Sequence, residues 1–135
     1  MSTGDIVVAL DTNALMLPVE AKIRTFEELK QLLGDADWVV PRAVVEELDR
    51  LAGDARGSAR AGATIGRRLA DRHCRVIDGG ETAYAGADKV LIELAAAGAV
   101  DYVVTNDADV RQAILDESIP VISLRGRDKL QVIHP

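Results

Sequence analysis

Apolar residues fall along this chain in short continuous runs separated by longer stretches of helical periodicity. Ile6 to Leu10 is unbroken and stops at Asp11, the signature of a strand buried on both faces. Trp38 to Val40 and Tyr102 to Val104 repeat it, Ile119 to Ser123 reads as another strand, and Arg75 to Ile77 as a shorter one. Leu130 to Ile133 reads as an edge strand. Between these runs, Thr25 to Leu33, Ala43 to Leu51, Ser58 to Arg72, Ala87 to Ala97 and Ala108 to Asp116 have apolar residues at helical spacing. Thr25 and Glu28 have the spacing of a capping box, Gly53 to Gly57 reads as a turn, and Gly79 with Gly80 marks a loop. Strands alternating with helices predict an α/β fold, a parallel sheet with helices on both faces reached through right-handed crossovers. With 135 residues and no repeat or linker, residues 1–135 are expected to form a single domain.

In such sheets ligands bind beyond the carboxyl ends of the strands. Asp11 ends the first strand, and Asp107 follows Tyr102 to Val104 by a short turn. An Asp after a strand is commonly a turn residue or helix cap. Two at equivalent strand ends, however, meet in one crevice if their strands are neighbours. On the helix Ala43 to Leu51, the apolar face is Val44, Val45, Leu48 and Leu51, and Glu46 points away from it. Glu47 lies on one border of that face and Asp49 on the other, so periodicity leaves both open. Asp88 opens the next helix, either as a carboxylate favoured by the helix dipole or as a fourth acid projecting into the crevice. Clustered carboxylates repel one another, and a divalent cation with hard-oxygen preference, Mg²⁺ or Mn²⁺, relieves that repulsion.

Composition removes the competing chemistries. Cys74 is the only cysteine, so no intrachain disulfide forms, and His73 and His134 complete no zinc set. Cys74 reads as a small buried hydrophobe at a strand start. No Gly-rich phosphate loop follows the first strand, against nucleotide-binding P-loop and Rossmann folds. Asn13 stands where a haloacid-dehalogenase-type phosphatase needs its second Asp, and Asp11 with Thr12 gives no receiver-type acidic pair. No run approaches the ~20 apolar residues of a membrane span, and no basic leader precedes Asp5, so the expected location is cytoplasmic.

The net charge of −6 does not attract nucleic acid by itself, and the aromatics, Phe26, Trp38, Tyr84 and Tyr102, are too few for a base-stacking platform. A local basic stretch therefore matters. Arg56, Arg60, Arg67, Arg68, Arg72 and Arg75 stand against the single acid Asp71 between residues 56 and 75, and Arg125, Arg127 and Lys129 form a smaller group. These are candidate phosphate contacts, or a solvated face with local ion pairs.

Four segments in order, DTNAL (Asp11 to Leu15), VPRAVVEEL (Val40 to Leu48), ADKVLIELA (Ala87 to Ala95) and VVTNDADV (Val103 to Val110), resemble the motif regions of PIN domains. The closing IPVISLRGRDKL (Ile119 to Leu130) is similar to the tail of archaeal and eukaryotic PIN proteins tied to ribosomal RNA processing, and single-domain VapC-like members share the plan. The resemblance implies a five-stranded parallel sheet in a three-layer α/β/α arrangement. It also implies an Mg²⁺- or Mn²⁺-dependent endoribonuclease acting on single-stranded RNA. Asp11, Glu47, Asp88 and Asp107 match the four family acids, which serve as both metal ligands and catalytic residues. Thr105 matches the hydroxyl that supports the first acid, Asn13 fits an auxiliary role behind it, and Asp109 sits where some members carry an additional acid. Lys89 departs from the pattern, standing where many relatives have a second acid. The implied settings are ribosomal RNA maturation, with ribosome-assembly partners, or a toxin held by an antitoxin; homodimers are common in the family. The alternative is a non-catalytic module that docks on RNA or protein.

Overall fold

A computed structural model describes residues 5–54, 56–79 and 85–135. Gly80, Arg56's predecessor in the expected turn, and Tyr84 lie outside them. The order is β1 (Val7–Leu10), α1 (Thr12–Glu20), α2 (Thr25–Leu33), β2 (Asp37–Pro41), α3 (Arg42–Asp54) and α4 (Gly57–His73). There follow β3 (Arg75–Ile77), α5 (Ala87–Ala96), β4 (Tyr102–Val104), α6 (Ala108–Asp116), β5 (Val121–Arg125) and β6 (Lys129–Ile133). The strands form one sheet in the order β3-β2-β1-β4-β5-β6, parallel except for β6.

The continuous apolar runs are explained by burial on both sides. Val8, Leu10, Trp38, Val40, Val104 and Ile122 face one core under α1 to α4, while Ala9, Val39, Val103 and Val121 face a second under α5 and α6. Alternate residues of one strand thus serve different layers. The result is the three-layer α/β/α arrangement.

The sheet has six strands rather than five. Gly126, at φ +66°, stands in the turn of residues 126–128 that reverses the chain, and β6 pairs with β5 antiparallel. β5 itself is shifted from the expected Ile119 to Ser123 to Val121–Arg125. α3 runs on through Asp54, so the expected turn at Gly53 is helix at its start.

Helix α1 has no counterpart in the sequence reading. Its apolar residues are buried almost all round, with Ala14, Leu15, Met16 and Leu17 in the core, so one-sided periodicity is absent. Pro18 lies inside it and cannot bond the Ala14 carbonyl. The Thr25 hydroxyl donates to that carbonyl at 3.1 Å instead. Thr25 is therefore not the cap of α2. The cap position is Arg24, without a side-chain cap bond, and the expected capping box is replaced by a tie between α1 and α2.

Cys74 follows α4 and packs against the first core. Burial pushes its thiol up to about 12. Alkylation of the native protein at pH 8 is expected to be more than ~100-fold slower than in denaturant, because only the thiolate reacts; equal rates would show the thiol accessible.

Candidate metal centre

From β1 the chain moves outward to β2 and β3, then returns to β4 on the opposite side of β1. The crevice between β1 and β4 is the point where the winding reverses, the usual ligand position in open parallel sheets. Leu10 is in register with Val104, and the Asp11 amide donates to the Val104 carbonyl at 2.9 Å. This register brings the chain beyond β1 and the chain beyond β4 side by side.

Asp11 caps α1 and is 3% exposed. Its Oδ1 accepts from the Thr12 amide at 2.8 Å, and its Oδ2 accepts from the Thr105 hydroxyl at 2.7 Å. Asn13 Nδ2 adds a longer bond to Oδ2 at 3.3 Å. The Asn106 amide donates to Asn13 Oδ1 at 2.9 Å, and the Leu124 amide donates to Asn106 Oδ1 at 2.8 Å. One run of hydrogen bonds thus ties the carboxyl ends of β1, β4 and β5 together beneath the carboxylate. Asn106 carries no distinguishing signal in the sequence, because an Asn in a turn has many local uses; only the strand order shows it bridging to β5.

Asp107 caps α6, its Oδ1 accepting from the amides of Asp109 at 2.9 Å and Val110 at 3.1 Å. Oδ2 takes no part in that cap. Asp88 stands exposed in the first turn of α5. Glu47, of α3, accepts from the Thr12 hydroxyl through Oε1, while Oε2 pairs with Arg50 at 3.8 Å. Asp11, Thr12, Asn13, Glu47, Asp88 and Asp107 line one cleft of about 320 Å³ together with Met16 and Leu51. The border ambiguity on α3 is resolved by partners: Asp49 pairs with Arg67 at 2.9 Å, and Glu47 lines the cleft. Asp109 is exposed and does not line it, and Lys89 is exposed.

The acids load one another electrostatically. Burial, opposed by the Thr105 and Thr12 hydrogen bonds and reinforced by Asp88 and Glu47, raises the Asp11 pKa to about 6. Asp88 is also held above its ordinary value, by desolvation first and then by Asp107 and Glu47. A cation in the cleft would reverse these shifts. The donors are carboxylate, hydroxyl and amide oxygens, which suit Mg²⁺ or Mn²⁺ and no soft metal. Among the described residues, no three ligand side chains converge into a ready-made cage. Four acids nevertheless line the cleft.

The candidate phosphate contacts divide. Arg67 bonds Asp49 and Asp71 and so ties α4 to α3, and Arg75 bonds Asp37 at 2.7 Å. Arg56, Arg60, Arg68, Arg72, Arg125 and Arg127 are exposed.

Comparison with known proteins places the geometry in context. Residues 8–127 match the PIN like domain. A solved structure of the PIN domain endonuclease Utp24 superposes with a TM-score of 0.76 over 96% of this chain and 92% of that one, at 23% identity, a likeness of fold. A search of curated proteins finds no match. With most of its length matched by the family and the same three-layer architecture, the chain belongs to the PIN-like domain family.

Proposed function

We propose that this protein is a divalent-metal-dependent endoribonuclease that hydrolyses phosphodiester bonds of single-stranded RNA. The observation that carries the reading is the arrangement of Asp11, Glu47, Asp88 and Asp107. Four separate segments of a PIN-like chain bring these acids to one cleft at the carboxyl edge of the sheet. The PIN domain endonuclease whose fold it shares makes nuclease chemistry the natural assignment. In this reading the chain acts as a single domain, in a cytoplasmic setting. Maturation of ribosomal RNA is its first candidate role, and a toxin-type ribonuclease paired with an antitoxin is the other.

Asp11, Glu47, Asp88 and Asp107 would hold Mg²⁺ or Mn²⁺. Such an ion, when bound, polarises a phosphodiester, lowers the pKa of water and stabilises the leaving oxygen. Thr105 and the Thr12 amide fix the Asp11 carboxylate, so its charge is presented without reorganisation. Asn13 and Asn106 lock that arrangement to the neighbouring strands. Asp107 presents Oδ2, because Oδ1 is occupied by the α6 cap. Thr12 orients Glu47 from below the cleft.

Incubation of a labelled single-stranded RNA with Mn²⁺ or Mg²⁺ tests this, with Asp88→Asn and excess chelator alongside. Cutting by the wild type is expected to vanish with chelator. The variant should lose more than the roughly 10–100-fold that removal of an outer-shell partner costs at metal sites. Equal cutting by both proteins would sink the assignment. One observation favours a non-catalytic RNA- or protein-binding module: among the described residues no three metal-ligating side chains converge. RNA binding without metal-dependent cleavage by the wild type would support that second reading.

A further inference from the structure

A cavity of about 450 Å³ opens between the end of α1, the start of α2 and the end of α4. None of the four acids of the cleft lines it. Its apolar part is Pro18, Phe26, Ile65 and Leu69. His73 stacks on Phe26, with ring centroids 4.2 Å apart and planes 20° from parallel. Burial, then Lys30 and Arg72, hold the His73 imidazole below its ordinary pKa, so the stacked ring is neutral at pH 7. Arg24 and Glu27 pair across the rim at 3.4 Å. The excess positive charge therefore comes from Lys30 and Arg72, which are exposed and make no ion pair among the described residues.

The cavity does not stand alone. Ile65 is shared with a shallow depression lined by Gly57, Arg60, Ala61 and Thr64 on the outer side of α4. At about 100° per residue, Arg60, Arg68 and Arg72 fall within roughly 120° of one another. They lie opposite the buried stripe Gly62, Ala63, Gly66 and Ala70. Three exposed arginines thus stand along this side of the helix, with Asp71 among them held by Arg67, and lead to a basic-rimmed, apolar-floored cavity. In a chain of net charge −6, this segregation builds a surface for a repeating anion.

We propose that this cavity is a subsite for one unpaired nucleotide of single-stranded RNA, whose neighbouring phosphates run along Arg60, Arg68 and Arg72. The inference rests on the reading of the protein as one that engages RNA, and requires neither metal nor cleavage. By helix rise the three arginines stand about 12 Å and about 6 Å apart, so an extended polyanion reaches more than one of them, whereas an acidic side chain on a peptide needs only one. The volume falls in the range of small-ligand pockets, and the apolar floor accepts the face of any base. Because the floor offers few hydrogen-bonding groups, binding is expected to tolerate base identity.

The test uses a fluorescein-labelled oligouridylate in EDTA, with anisotropy followed against salt. Lys30→Glu/Arg72→Glu is expected to bind at least tenfold more weakly, with the log–log salt slope reduced by about 0.7 for each lost phosphate contact. Lys30→Arg/Arg72→Lys should retain binding, both double variants melting with the wild type. Titration with uridine 5′-monophosphate should shift the amide resonances of Phe26, Ile65 and Leu69. Unchanged affinity in the charge-reversed variant, or shifts confined to the acidic cleft, would overturn the subsite. So would charge-dependent capture of a Glu/Leu copolymer peptide in place of RNA. Metal-free binding with this pattern but no cleavage removes the nuclease and leaves the subsite. Cleavage and binding indifferent to Lys30 and Arg72 do the reverse.

Discussion

Asp11→Asn is expected to make the metal-free protein more stable at pH 8 while abolishing its response to Mn²⁺. The carboxylate is buried, and its pKa rises from 3.8 to about 6, which corresponds to roughly 3 kcal/mol against the ionised form. With the folded pKa above the unfolded one, the folded state binds the extra proton. The favourable contribution is complete below about pH 3.8 and is lost as pH rises through about 6. At pH 8 the wild type therefore carries an ionised, buried Asp11. Asn removes that charge and keeps the shape, though the bonds from Thr105 and Thr12 weaken when the acceptor is neutral. A net gain of about 1–2 kcal/mol remains at pH 8. Near pH 5, where the wild-type group is largely protonated, the two proteins should converge. Mn²⁺ should raise the melting temperature of the wild type only, and RNA cleavage should be lost in the variant. Thermal melts at both pH values, with and without Mn²⁺, decide this. A variant less stable than wild type at pH 8 without metal would show that the charge is compensated within the protein.

Gly66→Val should cost roughly 3 kcal/mol or more, at the upper end of what overpacking costs. The reason is the approach of α4 to α1. A Cβ at Gly66 would stand 2.9 Å from the Leu15 carbonyl oxygen and 3.1 Å from the Leu15 carbonyl carbon. Those atoms are backbone, so relief requires α1 to move. α1 begins at Thr12, beside Asp11 and next to Asn13, so the displacement reaches the candidate metal centre. Gly62→Ala is the matched contrast. Its Cβ would meet Met16 Cε at 3.2 Å, the far end of a flexible side chain, and the replacement gains about 1 kcal/mol of helix propensity. Urea unfolding should rank Gly62→Ala near or above wild type and Gly66→Val far below it. Similar midpoints for the two would mean that α1 and α4 separate freely.

Much of this follows from residue order. Period and run length are enough to read strands β1 to β4, the edge strand β6 and helices α2 to α6. For β1, β2 and β4 the reason is that a strand buried on both sheet faces leaves an unbroken apolar run whatever its neighbours are, whereas β3 is short and mostly exposed. Boundaries were displaced where the sequence offered no punctuation, as at β5 and the end of α3. Helix α1 was invisible for the opposite reason to the others. Enclosed by α2, α3, α4 and the sheet, it has no polar face to create a period, and Pro18 argues against it until the Thr25 hydroxyl is seen to take its place at Ala14.

The candidate site divides along the same line. That acids sit at the ends of β1 and β4 is written in the chain, since an apolar run must end in a polar residue where it leaves the core. Which acids face one another was not, because that depends on strand order and helix rotation. Pairing of β1 with β4 brings Asp11 to Thr105 over 94 residues of sequence. Burial of Val44, Val45 and Leu48 fixes the rotation of α3, which sets Asp49 against Arg67 and leaves Glu47 on the cleft. The arginines looked alike in sequence; only packing separates Arg67, bound between α3 and α4, from Arg60, Arg68 and Arg72, which face solvent. Local pattern determines what each segment must bury, while long-range contacts decide which polar groups are brought together once that burial is complete.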